Sequence, residues 1–271
     1  MAEPSGRAAV LGRPIGHSLS PVLHRAAYAE LGLNWQYDAI DCGVKDLAGV
    51  LADHADYVGF SCTMPLKREL LRVAAEVSPV AAAIGAANTL IRAATDAAQG
   101  WQADNTDWIG IRDALAEHQV DARGRVLILG AGGTAQAALA ALTQAASITV
   151  AVRDPARTNE LRDTADRLNL ELTVIRLGER PAEVDLTIST LPHAAADSIE
   201  LPRTKALLDV VYQGWPTALA QRAQAEGTEV ISGAVMLLLQ AAAQVELMTG
   251  RAAPVEAMRA AMRAAVPDCG V

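Results

Sequence analysis

Aromatic residues, lysine, cysteine and long apolar runs are all scarce in this chain of 271 residues, and each shortage narrows what it can do. Aromatics make up 3% of the residues while 51% are hydrophobic, so the interior is expected to be alanine, leucine and valine, which suits layered helices and sheets better than a β-sandwich. The apolar runs are too short to span a bilayer. The start MAEPSGRAAVLG has no long hydrophobic stretch followed by a cleavage site, so export is not expected. Cys42, Cys62 and Cys269 have neither CxxC spacing nor an even count and read as reduced thiols in a cytoplasm. Positive charge is also short: the net charge of −8 disfavours nucleic acid or an anionic membrane and leaves a small molecule as the expected partner. HExxH and Cys/His clusters are absent and the five histidines are scattered, so no metal is expected.

The length suggests two domains. AAVLG reads as a strand running into a turn, followed by a helix from Pro21 to about Leu31. WQYDAIDC alternates like a second strand, DLAGVLADHA is a helix, YVGFSCTMP is a third strand ending at Pro65, and LKRELLRVAAEV has helical period. A break is expected around AAQGWQADNTDW. Beyond it, EVDLTISTLP, ALLDVVY and GTEVISG read as short strands before a long helical stretch from Ala234.

Between the break and those strands, VLILGAGGTAQAALAAL supplies a hydrophobic strand, a glycine turn and a helix in the order a dinucleotide fold requires. Gly130, Gly132 and Gly133 let the backbone approach a pyrophosphate at the helix N-terminus, with Ala131 and Thr134 in the same turn and Ala135 in the place of the third glycine. An ordinary tight turn is the plainer alternative. At the end of the next strand, where a ribose reader carries an acid, stand Val152 and Arg153, with Arg157 four further on. Two guanidiniums suit a 2′-phosphate, which points to NADP; Asp154 between them either accepts from a ribose or caps the next helix.

Of 23 Lys and Arg residues, only Lys45, Lys67 and Lys205 are lysine, the one cationic side chain of the two that can give up its proton at workable pH. Lys67 follows TMP at the end of a strand, where α/β sheets place their ligands, although a helix-surface position explains it equally well. AANTL and ADNTDW contribute Asn88 and Asp107, which Asx-turns also explain. In GHSLSPVLH, Ser20 reads as the N-cap of a helix with Pro21 at its first position, and Ser18 beside it makes that helix start a candidate carboxylate receptor.

Over nearly its whole length the sequence resembles the shikimate dehydrogenase family. In that family an SxS motif holds the substrate carboxylate, which implies Ser18 and Ser20 here. SCTMPLK implies Thr63 as a substrate contact and Lys67 as the catalytic lysine, and the ANT and NTD segments imply Asn88 and Asp107 as partners of the ring hydroxyls. DVVYQGWPTAL and GAVMLLLQAA imply Tyr212 and Gln240 in the substrate site, with Gly233 and Met236 facing a nicotinamide and Thr190 and Val210 contributing to the cofactor site. The resemblance implies an α/β protein of two domains: a substrate domain of residues 1–106 completed by C-terminal helices over 235–271, and a Rossmann-like NADP domain over 107–234. The activity it implies is reversible, NADPH-dependent reduction of 3-dehydroshikimate to shikimate, with NAD use and a homodimer left open. A quinate or aminoshikimate dehydrogenase with the same lysine and aspartate, or a nucleotide sensor, are the other readings. The family often has Asn where Ser61 stands, Gly where Trp108 stands, and Asn-Arg-Thr where Val152, Arg153 and Asp154 stand.

Overall fold

A computed structural model describes residues 5–92, 100–179, 181 and 183–271. The chain divides into two compact units. The first runs to Thr106 and takes up Gln240–Ala265; the second is Asp107–Leu239 with Val266–Val271. The helix Gly233–Thr249 therefore changes unit at Gln240, five residues after the boundary expected at 235, and the last six residues return to the second unit. That return has a local cause, because the hydroxyl of Ser232 donates to the carbonyl of Cys269 at 2.5 Å.

The first unit holds a six-stranded mixed sheet of β1 (Arg7–Gly12), β2 (Gln36–Asp41), β3 (Gly59–Cys62), β4 (Glu76–Val77), β5 (Thr89–Arg92) and β6 (Trp101–Asp104), in the order β2-β1-β3-β5-β6-β4. β5 and β6 run antiparallel to each other, and β5 antiparallel to β3. Two readings change here. LKRELLRVAAEV yields only the helical turn Leu70–Val73, because the amide of Ala75 donates to the carbonyl of Trp101 at 2.9 Å and draws Glu76 and Val77 into pairing with β6. Of the expected break, 97–99 lie outside the described residues, while Trp101–Asp104 is a strand.

The second unit is a parallel sheet of β7 (Arg125–Leu129), β8 (Ser147–Val152), β9 (Leu172–Arg176), β10 (Glu183–Ser189), β11 (Arg203–Asp209) and β12 (Glu229–Ser232), in the doubly wound order β12-β11-β10-β7-β8-β9. Every neighbouring pair is parallel, and the strands read as continuous apolar runs because helices cover both faces. Its core is aliphatic, built on residues such as Val126, Ile128, Leu139, Val150, Leu186 and Leu208.

In the first unit the helix Ser20–Glu30 packs on the helix Val255–Ala265 and buries His24 completely. The imidazole stacks on Tyr37 at 4.1 Å between ring centroids, and its Nδ1 lies 2.9 Å from the carbonyl of Ser20. Burial holds its pKa down at about 4 against an ordinary 6.5. Between those values the unfolded chain binds the proton and the folded chain does not, so stability falls on acidification from about 6.5 to about 4, by up to roughly 3 kcal/mol from this residue. His24→Phe keeps a ring on Tyr37 and removes the titration. Urea unfolding at pH 7 and pH 4.5 should show a smaller acid loss in the variant than in the parent; equal losses would mean that His24 does not carry this term.

Candidate active site

The turn that follows β3 carries Thr63 and Lys67. It is pinned at both ends by backbone: the amide of Thr63 donates to Leu11 at 2.9 Å, and the carbonyl of Lys67 accepts from the amide of Ala87 at 2.7 Å. Lys67 therefore sits beside the residue pair that leads into β5, and its charge lies near enough to lower the thiol pKa of Cys62, although burial dominates and raises it. Ser18 and Ser20 flank the start of the helix Ser20–Glu30 in an arrangement that differs from the expected one. Leu19 occupies the cap position in helical geometry, Ser20 is already helical and buried, and the Ser18 hydroxyl is the one that accepts from the amide of Ser20, at 3.3 Å. Ser20 is freed from capping because the Ser18 oxygen satisfies the helix amide in its place.

Asn88 lies at the end of the segment that leads into β5 and is 2% exposed. Its Oδ1 accepts from the amide of Thr106 at 2.8 Å and from the hydroxyl of Thr89 at 2.8 Å. Its Nδ2 donates to the Thr106 hydroxyl at 3.0 Å and to Oε1 of Gln240 at 3.2 Å. Residues 152 positions apart in the chain thus meet through one carboxamide. Behind them, Gln244 is 1% exposed and bonded to Ser61, Thr89 and the carbonyl of Asn88, and Ser61 is bonded to Tyr37. Thr106, Gln244, Thr89 and Tyr37 are not among the residues expected from sequence. The one sequence signal for Gln244 is its i, i+4 spacing from Gln240, which puts both amides on one face of a helix.

In the second unit, Gly130, Thr190, Val210 and Gly233 come together along the C-terminal edge of β7, β10, β11 and β12, the edge at which doubly wound sheets bind ligands. Gly130 has φ +104°, and a Cβ there would stand 2.5 Å from the hydroxyl of Thr190, which donates to the carbonyl of Leu129 at 2.8 Å. Gly132 caps the helix Gly133–Ala141, with Ala131 before it and Thr134 in its first turn, and a Cβ added at Gly132 would meet nothing within 4 Å. Open space at a helix N-terminus fits a pyrophosphate. β8 ends at Val152; Arg153 and Arg157 follow, both exposed, and Asp154 accepts from the amide of Ala156 at 3.0 Å. Asp154 is therefore a cap. Tyr212 is half-buried, which raises its phenol pKa, and Asp107 is 5% exposed in the first turn of the helix Asp107–Glu117. Met236 is packed into the core of this unit. Among the described residues no group of three or more metal-ligating side chains forms.

Two family models match the chain: the shikimate dehydrogenase substrate binding domain over residues 10–90, and the shikimate 5'-dehydrogenase C-terminal domain over residues 233–263. The shikimate dehydrogenase (NADP(+)) of Halobacterium salinarum is 37% identical, covering 94% of this chain and 97% of its own, so the likeness also runs through most of the stretch between the two models. The crystal structure of Mycobacterium tuberculosis shikimate dehydrogenase is 41% identical with a TM-score of 0.85, covering 96% of this chain and 99% of that one. The enzyme of Thermus thermophilus, crystallised with NADP(H) and shikimate, is 31% identical with a TM-score of 0.85, covering 96% of this chain and 100% of that one.

The glycines of the second unit differ in what they tolerate. A Cβ on Gly233 would overlap the backbone of Val210, which must move, whereas Gly132 opens onto space. Gly233→Ala should destabilise the protein by about 1–3 kcal/mol, and Gly132→Ala by less than about 1 kcal/mol, in chemical unfolding. Equal and small losses would show that Val210 is not held against Gly233.

Proposed function

The chain belongs to the shikimate dehydrogenase family, and from that membership we propose that it catalyses the reversible reduction of 3-dehydroshikimate to shikimate with NADPH, a step toward the aromatic amino acids. The observation that carries the reading to particular residues is the buried hydrogen bond of Asn88 to Gln240. It joins two of the residues that the resemblance assigns to the substrate, a backbone step from the Lys67 turn. In this reading the first unit, residues 1–106 with the C-terminal helices, binds shikimate. Ser18 and Ser20 take its carboxylate, Asn88 a ring hydroxyl, and Thr63 and Gln240 are further contacts; from the second unit the resemblance adds Asp107, as a ring-hydroxyl partner, and Tyr212. Cys42, Cys62 and Cys269 are buried and none is in a disulfide, which supports a reducing, cytoplasmic setting. No helix among the described residues is long and apolar enough to cross a membrane.

NADPH, when bound, supplies the hydride. The chain's part is to hold the carbonyl and manage the proton: Lys67 stabilises and protonates the alkoxide as it forms, while Asp107 accepts from the neighbouring hydroxyl and keeps the ring in register. Lys67→Ala should lower turnover roughly a hundredfold to ten-thousandfold with little change in shikimate affinity. Lys67→Arg should fail as well, since a guanidinium keeps the charge but does not release its proton. Near-parental turnover in Lys67→Arg would reduce Lys67 to a charge and move the proton to another carrier.

The Rossmann-like second unit supports an NADP site. Gly130, Ala131, Gly132, Gly133 and Thr134 would cradle the pyrophosphate, Arg153 and Arg157 the 2′-phosphate, and Gly233 and Met236 would face the nicotinamide, with Thr190 and Val210 completing the cofactor site. Asp154 gives one carboxylate oxygen to capping the turn Pro155–Arg157. Arg153→Ala should weaken NADPH binding much more than NADH binding in fluorescence titration. Equal losses for the two would mean that Arg153 does not read the 2′-phosphate.

A further inference from the structure

Behind Asn88 and Gln240 runs a buried chain of hydrogen bonds whose proton directions are fixed from both ends by backbone groups. The carbonyl of Asn88 can only accept, so the Gln244 atom 3.3 Å from it is Nε2. The same amide nitrogen donates to the Thr89 hydroxyl at 3.0 Å, and that hydroxyl passes its own proton to Oδ1 of Asn88 at 2.8 Å. Oε1 of Gln244 then accepts, from Ser61 at 2.7 Å, and Ser61 accepts from the phenol of Tyr37 at 2.6 Å. At the other end the amide of Thr106 can only donate, so the Asn88 atom 2.8 Å from it is Oδ1 and the nitrogen faces Gln240.

We infer that Gln244, backed by Ser61 and Tyr37, is a positioning residue that sets the polarity with which Asn88 and Gln240 meet the substrate. An asparagine amide is nearly symmetric in shape, and rotating it by a half-turn exchanges donor for acceptor. Because Gln244 donates to Thr89, the Thr89 hydroxyl must point its proton at Asn88, so a turned Asn88 would set its nitrogen against that proton as well as against the Thr106 amide. Both contacts are repulsive and neither reaches water, since Asn88, Thr89 and Thr106 are each 2% exposed or less. Serine at position 61 suits this task, because one hydroxyl accepts from Tyr37 and donates to Gln244 at once.

The inference rests on the reading that Asn88 holds the substrate, and the test separates the two. Shikimate affinity of the full chain is measured by calorimetry from pH 5.5 to 9 for the parent, Gln244→Glu, Gln244→Met, Thr89→Val, Thr89→Ser and Asn88→Ala. A carboxyl at position 244 can donate only while protonated, and burial raises its pKa toward neutral. Gln244→Glu should therefore bind like the parent at the acid end and lose affinity roughly five- to hundredfold as the pH rises. Gln244→Met and Thr89→Val should be weakened without that new titration, and Thr89→Ser should restore binding. Parental affinity and pH profile in Gln244→Glu, or in Thr89→Val should the first variant not fold, beside weak binding in Asn88→Ala, would overturn the inference and leave the active-site reading standing. Parental affinity in Asn88→Ala would overturn that reading and the inference with it.

Discussion

The carboxamide of Asn88 is the point on which the first unit's site turns. Its backbone is stitched on both sides, the amide to Asp104 at 3.0 Å and the carbonyl to Cys62 at 2.7 Å, so the ends of three strands are fixed relative to one another at a single residue. The antiparallel pair β5 and β6 makes this possible. A purely parallel sheet would send each chain end away through a crossover, whereas the reversal brings the segment before β5 alongside the segment after β6. Asn105 closes the same gap by donating to the carbonyl of Ala86 at 2.8 Å. Loop backbone that would otherwise be buried without partners is satisfied by side chains that also shape the site.

The second unit reaches its site by the opposite means. There the requirement is close approach to backbone, and it is met by leaving side chains out: Gly130 at positive φ beneath Thr190, and Gly233 against Val210. Six parallel strands place every C-terminal end on one edge, so small residues at successive strand ends become neighbours without any side chain to join them. Under the proposed function, a network of amides and hydroxyls in one unit suits a small polyhydroxylated acid, and a row of missing Cβ atoms in the other suits a pyrophosphate.

Much of this can be read from the chain, and the misses have physical causes. The glycine turn, the strand before it and the helix after it are local, so sequence order alone identifies them. Lys67 and Asn88 are visible as residue types at strand ends and in a motif. Ser20 resembles a cap in sequence because its own position before Pro21 satisfies the usual pattern; that Ser18 takes the amide instead depends on a turn closed by the amide of Ser18 donating to Ile15 at 3.0 Å. LKRELLRVAAEV has helical period yet ends after one turn, because pairing with β6 outweighs a propensity of a few tenths of a kcal/mol per residue. Gln244 escapes notice because its meaning lies in partners at positions 61, 88 and 89, none of which is near it in sequence.

Composition averaged over the chain also conceals a division of labour. The scarcity of aromatics implies an aliphatic interior, which describes the second unit: its core cluster is alanine, valine, leucine, isoleucine and methionine. The first unit gathers most of the rings, with Tyr57 stacked on Phe60 at 5.3 Å, Phe60 edge-on to Trp101 at 5.0 Å, and His24 on Tyr37. A parallel sheet covered on both faces needs only shape from its interior. A site built on a polar network needs donors carried into the core on apolar bodies, and tyrosine does this: the ring of Tyr37 is 1% exposed and packed, and its hydroxyl starts the hydrogen-bond chain that ends at Asn88. Tyr37 stands where burial and hydrogen bonding are demanded of the same side chain.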